Sequence, residues 1–244
     1  MSATTKIEWT DSTWNPILGC TKVSQGCRNC YAEALMERFR EVPGHPFEGG
    51  FSLSLVPEKL EEPLLWSKPR RIFTCSMSDL FHKDVPRGYI RQIFDVMEKA
   101  DWHIFQVLTK RSKRLLDLSP KLPWPDNIWM GVSVENSETA YRTMDLASTE
   151  ASVKFISVEP LLGPIDHIPL EGVDWVIVGG ESGSSARPMD PAWARGIRDQ
   201  CQDQGVAFFL KQLGGRHDKR GGSDALLDGK LWHQLPDAVN GLSA

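Results

Sequence analysis

The chain has 244 residues, with 28 Lys and Arg against 32 Asp and Glu, a formal net charge of −4, and 41% hydrophobic residues. That length and apolar fraction suffice for a sizeable core, and they exclude a disordered chain, a coiled coil or a collagen-like repeat. The mildly acidic balance also argues against a general electrostatic DNA binder, while leaving room for a local basic patch.

The opening stretch to Trp14 is polar and has neither an arginine-led segment nor a long apolar run, so no signal peptide is expected. The apolar runs are strand-sized, which predicts no membrane span and a cytoplasmic protein. A first strand is expected near Trp14-Asn15-Pro16-Ile17-Leu18, delivering Cys20 at its end. Three cysteines then follow in the pattern C-x6-C-x2-C, as Cys20, Cys27 and Cys30. Tyr31, Leu35 and Phe39 lie four apart, which predicts a helix starting at Cys30.

Further strands are expected at Arg71 to Cys75, Ile104 to Leu108, Ile128 to Val132, Val153 to Val158, Trp175 to Val178 and Val206 to Leu210. Their continuous apolar character fits strands buried on both faces, as in parallel sheets. Between them, Ile90, Ile93, Phe94 and Met97 mark an amphipathic helix. A weaker helix is expected from Asn136 or Ser137 through Ala140, Tyr141 and Met144. Asp190-Pro191 reads as a helix cap and first position, with Trp193, Ile197 and Cys201 on one face. The proline-rich stretches 118–125 and 160–169 are expected to shorten or replace helices.

Strand and helix alternating in this way predict an α/β fold, a full or partial (β/α) barrel of parallel strands forming one domain over 1–215. The remainder, 216–244, reads as a tail or lid, with Arg216, His217, Lys219 and Arg220 close together.

Chemistry in such folds gathers at the carboxyl ends of the strands. Those ends carry Cys75-Ser76-Met77-Ser78-Asp79, Thr109-Lys110-Arg111, Ser133-Val134-Glu135-Asn136, Ser157-Val158-Glu159-Pro160, Gly179-Gly180-Glu181-Ser182-Gly183 and Lys211-Gln212. Lys110 and Arg111 are candidates to meet a substrate phosphate, with Lys211 and Gln212 as further substrate-facing residues. Cys75 could give a hydrogen atom to a substrate radical if it faced the mouth; its alternative role is a small buried hydrophobe. Glu159 and Glu181 could contact a cofactor or substrate, or pair with Lys110, Arg111 or Lys211.

The odd total of five cysteines makes a poor disulfide framework, and the cluster of three suits a metal. Thiolates bind soft metals, and the short Cys27-to-Cys30 spacing lets two sulfurs serve one group. Spacing alone leaves two readings open: a structural zinc in need of a fourth ligand, or a cubic iron–sulfur cluster with one iron free.

The three-cysteine loop, the βα units and the Gly179-Gly180-Glu181 terminus resemble the radical S-adenosylmethionine enzymes. Within that group the chain is similar to an uncharacterised phage and bacterial family, on the blocks Trp14-Asn15-Pro16, Gly19-Cys20-Thr21, Gly26-Cys27, Asn29-Cys30-Tyr31, Phe73 to Phe81, Leu108 to Arg111, Gly131 to Asn136, Ser157 to Leu161 and Gly179 to Gly183. The resemblance implies a radical-enzyme fold, with Cys20, Cys27 and Cys30 holding a [4Fe–4S] cluster that binds S-adenosylmethionine. It also implies a flavodoxin- or ferredoxin-like electron donor. A nucleotide or nucleic acid is the attractive substrate class, and a partner protein is conceivable.

Ser76, Met77, Ser133, Glu135, Glu159 and Glu181 are the cofactor-binding candidates. The usual spacing in that group is C-x3-C-x2-C, and its Gly-Gly-Glu element follows the second strand, whereas here it follows the sixth. The usual role of that glutamate therefore does not transfer to Glu181, and Ser76-Met77 stands at the second strand end instead. The competing expectation is a zinc-stabilised, non-catalytic barrel that binds nucleic acid or protein.

Overall fold

The computed structural model describes residues 5, 7–215 and 225–237. A seven-stranded sheet runs in the order β1 (Ser12–Trp14), β4 (Arg71–Thr74), β5 (Ile104–Thr109), β6 (Ile128–Ser133), β7 (Val153–Val158), β8 (Trp175–Gly179) and β9 (Ala207–Gln212). Two short strands, β2 (Ile17–Leu18) and β3 (Ser54–Leu55), form a separate antiparallel ladder. The pairs β1–β4, β4–β5, β7–β8 and β8–β9 are parallel. Sequential strand order without a reversal is the topology of a partial (β/α) barrel rather than a doubly wound sheet. Among the described residues β1 and β9 stand at the two ends of that order.

The chain divides into two compact units, Met1–Met130 with Thr149–Ser152, and Gly131–Ser148 with Val153–Ala244. The division falls inside β6.

In the first unit, α2 (Arg87–Lys99) buries Ile90, Ile93, Phe94 and Met97, the stripe its sequence predicts. Helix α3 (Ser112–Leu118) is only seven residues long and ends in a single 3-10 turn at Ser119–Lys121, where Pro120 lies. The expected first strand is split. β1 stops at Trp14, and Asn15-Pro16 breaks the run before β2. Proline has no amide to give a ladder. Instead the Pro16 carbonyl accepts from the Val56 amide at 2.9 Å and the Tyr89 hydroxyl at 3.0 Å.

Helix α1 (Tyr31–Glu37) begins directly after Cys30, as its spacing predicts, but it turns a different face inward. Ala32 and Met36 are buried with Leu18, Val56 and Met77, while Tyr31 and Leu35 are exposed.

In the second unit, Asn136 caps a 3-10 turn at Ser137–Thr139 and α4 (Arg142–Ala147) follows. Tyr141 and Met144, the expected apolar face, are exposed, and Arg142, Thr143 and Leu146 are buried. Helix α5 (Pro191–Asp203) starts where predicted, with the Asp190 carboxylate accepting from the Ala192 amide at 2.8 Å. Ile197 and Cys201 are fully buried beneath it.

The expected tail or lid lies outside the described residues from Arg216 to Asp224 and from 238 onward. Between them, β10 (Leu226–Leu227) and β11 (Lys230–Leu231) form a hairpin. The chain after it bonds to β9 through Leu210 N to Trp232 O and Gln234 N to Phe208 O. Among the described residues no helix is long and apolar enough to cross a membrane.

Candidate functional site

The first unit carries the cysteine loop. It leaves β2 through Gly19, whose φ of +75° and whose closeness to the Ser52 carbonyl both demand glycine; an added Cβ would sit 2.2 Å from that oxygen. The Gly19 amide donates to Met77 O and the Cys20 amide to Phe51 O, each at 3.2 Å. These bonds hang the loop between the end of β4 and the 51–52 segment.

All three loop cysteines are reduced and half-buried, whereas Cys75 and Cys201 are buried. Burial, together with the Asp79 carboxylate, pushes the Cys20 thiol up to about 11, and Arg111 works against that rise. The Ser24 hydroxyl lies 3.8 Å from the Cys27 sulfur.

The turn after β4 organises the loop. The Asn15 side chain bonds the Ser76 hydroxyl at 3.1 Å and accepts from the Met77 amide at 3.0 Å. The Tyr31 hydroxyl donates to the Ser76 carbonyl, and the Ser78 hydroxyl donates to Ile17 O at 2.8 Å. Met77 is buried in the small core beneath α1. Ser76 and Met77 thus support the loop with their side chains and backbone.

Asp79, the last polar residue of that strand end, gathers the next group. Its carboxylate accepts from the Thr109 hydroxyl at 2.7 Å, the Phe81 amide at 2.9 Å and the Lys110 amide at 3.1 Å. Arg111 Nε faces it at 3.8 Å. The far end of the same guanidinium donates to the Thr21 carbonyl at 3.0 Å and the Thr21 hydroxyl at 2.9 Å, and stands 4.0 Å from the Cys20 sulfur.

His82 closes the group. Its Nε2 meets the Thr21 hydroxyl at 2.8 Å, while Nδ1 accepts from the Asp84 amide at 3.2 Å, so the ring proton sits on Nε2. Burial, helped by Arg111, holds the imidazole below its usual range. Asp79 is legible as a strand-end polar residue, whereas nothing in the sequence marks Thr21 and His82 as partners of each other.

Cys75 occupies the end of β4 with φ +62° and 2% exposure, and burial lifts its thiol to about 12. Trp9 and Trp14, which flank the loop in sequence, are core residues: Trp14 is fully buried against Phe105, with its indole N–H on Lys59 O at 2.7 Å.

The second unit carries the strand-end carboxylates, and each meets a cation. Glu135 and Arg142 form a pair at 3.4 Å with side-chain exposures of 1% and 3%. Arg142 also donates to the Ser133 carbonyl at 2.7 Å. Glu159 pairs with Lys211 at 2.8 Å and accepts from the Ser157 hydroxyl at 3.1 Å. Glu181 accepts from the Arg187 amide at 2.9 Å and from its guanidinium through two nitrogens. Arg142 and Arg187 were not legible as partners; the only sign of Arg142 was a charge within a weak helical pattern.

The Gly179-Gly180-Glu181 element now has a packing reason. A Cβ at Gly179 would lie 2.7 Å from the Glu159 carboxylate, and one at Gly180 would lie 2.4 Å from Leu213 O. Gln212 Nε2 donates to the Gly180 carbonyl at 2.6 Å.

Among the described residues no group of three or more His, Cys, Asp or Glu side chains is drawn together around one metal-ion position. The donor set of the loop fits a cluster that takes one thiolate per iron. It offers three reduced, partly exposed thiols in one short loop, with a guanidinium beside the first.

The family described as "Protein of unknown function (DUF5131)" matches this chain over residues 4–236. No curated protein and no solved structure matches it.

Proposed function

We propose that this chain, which belongs to the DUF5131 family, is an iron–sulfur enzyme of the radical S-adenosylmethionine type. In this reading Cys20, Cys27 and Cys30 hold a [4Fe–4S] cluster and S-adenosylmethionine is the cofactor. When bound, that pair supplies reductive cleavage to a 5′-deoxyadenosyl radical that takes a hydrogen atom from substrate. One observation carries the reading: three reduced, half-buried thiols share one loop, while the other two cysteines are shut into the core.

The chain's own residues do the positioning. Asn15, Ser76 and Tyr31 brace the loop, and Arg111 fastens its first cysteine to the end of β5. Lys110 is the substrate candidate of the first unit in this reading; in the second, Lys211 is paired with Glu159 and Gln212 is buried on the Gly180 carbonyl. Glu159 is the cofactor or substrate contact best supported among the carboxylates, because its pair with Lys211 keeps 15% and 24% of the side chains accessible. Glu135, buried against Arg142, holds the end of β6 in place. Glu181 has its carboxylate bound to Arg187, which supports a similar bracing role. A nucleotide or nucleic acid is the substrate class, and an external one-electron donor is required.

Anaerobic reconstitution tests this. The expected protein is brown, with about four irons and four sulfides per chain, and releases 5′-deoxyadenosine on reduction with dithionite and S-adenosylmethionine. Cys27→Ala is expected to lose both colour and cleavage. Bound zinc without sulfide would refute the reading in favour of a zinc-stabilised binding protein.

A further inference from the structure

Arg111 is the one strand-end cation whose guanidinium turns onto the cysteine loop rather than onto a strand-end glutamate, among the pairs described above. Its place is built from both sides. Behind it, the Asp79 carboxylate is fixed by the Thr109 hydroxyl and by the Phe81 and Lys110 amides. Thr109 also accepts from the Arg111 amide at 2.9 Å, so backbone and side chain share one anchor. In front, one nitrogen reaches both oxygens of Thr21 and lies 4.0 Å from the Cys20 sulfur. His82 holds the same Thr21 hydroxyl from another side. Among the described residues, Arg111 Nε is buried without a hydrogen-bond acceptor, and the Asp79 carboxylate faces it at 3.8 Å. A guanidinium fixed in this way keeps a positive charge beside one particular sulfur.

We propose that Arg111 is a positioning residue for Cys20, acting both as a tether that holds the loop through Thr21 and as a counter-charge beside that sulfur that would favour reduction of a bound cluster. The proposal rests on the cluster reading above in its second half, but the tether belongs to the metal-free chain as well. A positive charge near a cluster stabilises its reduced, more negative state, and hydrogen bonding and charge around the sulfurs are among the protein's means of setting potential. Lysine can replace the charge, but it cannot reproduce a planar fork spanning Asp79 and Thr21.

Two measurements on the full-length protein separate the halves. In the metal-free chain, Arg111→Gln is expected to speed hydrogen exchange about tenfold at the Gly19 and Cys20 amides, with α2 unchanged. In reconstituted protein the same variant is expected to make cluster reduction about tenfold less favourable, a downward shift near 59 mV for one electron. Arg111→Lys is expected to restore the potential and leave the faster exchange. Should Arg111→Gln lose its iron while Arg111→Lys keeps it, the counter-charge assignment stands. Wild-type exchange in Arg111→Gln overturns the tether, and an unchanged potential in an iron-replete variant overturns the counter-charge. If the wild-type chain itself takes up no cluster, the functional reading falls and the exchange result still decides the tether.

Discussion

The two units treat charge and polarity in opposite ways. In the second, each strand-end carboxylate is matched: Glu135 by Arg142, Glu159 by Lys211, Glu181 by Arg187. In the first, the polar apparatus of Asp79, Arg111, Thr21 and His82 converges on a loop whose three thiols are reduced and partly open. Among the described residues, the second unit spends its strand-end carboxylates on separate ion pairs, whereas the first gathers Asp79 and Arg111 onto one loop. A buried matched pair fixes local geometry and stays as it is.

That contrast can be broken from either side. The largest effect is expected at the most buried pair. Arg142→Met takes the paired guanidinium from the buried Glu135 carboxylate and should lower unfolding stability by about 3–5 kcal/mol, measured in denaturant. A loss below about 1 kcal/mol, the range of surface pairs, would show that this pair is not a structural closure. Lys211→Met breaks a more accessible pair and is expected to cost about 1 kcal/mol or less.

The smallest effect belongs to the first unit. Cys27→Ala in the metal-free chain should change stability by no more than about 0.5 kcal/mol, as for a surface position, while the proposed function expects it to abolish iron binding. A large loss would mean that the loop thiols serve the fold.

A pH experiment sharpens the same picture at the wall beside the loop. Glu37 is pushed down to about 2, first by its bonds to the Arg40 guanidinium and then by the Phe51 amide. Because the folded value is lowered, its contribution is present above the ordinary value of 4.5 and is lost as pH falls through about 2. Carboxyl NMR should show that midpoint in the native chain and a higher one in Arg40→Gln.

How much of this was legible follows from what each signal depends on. The strands were, because a strand buried on both faces must be apolar throughout, and Trp175-Val176-Ile177-Val178 has no other economical reading. The start of α1 at Cys30 was legible too, but its inward face was not. A spacing of four is met by Tyr31 and Leu35 and equally by Ala32 and Met36. The surface that chooses between them, Leu18, Val56 and Met77, comes from distant chain. The same holds for α4, where Tyr141 and Met144 look outward and Arg142 goes in.

At the candidate site, the three cysteines announced themselves by spacing. The partners of Glu135 and Glu181 did not, since an arginine destined for burial looks in sequence like any solvated one. Arg111 stood out as a cation, but its direction toward Thr21 is fixed only by Asp79, thirty-two residues earlier in the chain.

Gly19 has a bearing on how such a chain can change over generations. Its absent side chain leaves the room that the Ser52 carbonyl occupies, and its backbone angle suits few other residues. The Cys20 amide is meanwhile held by Phe51. A substitution at Gly19 therefore cannot be absorbed locally, and must be accompanied by a rearrangement of the Phe51-Ser52 segment. Across descendants of this chain the two stretches should drift together or stand still together.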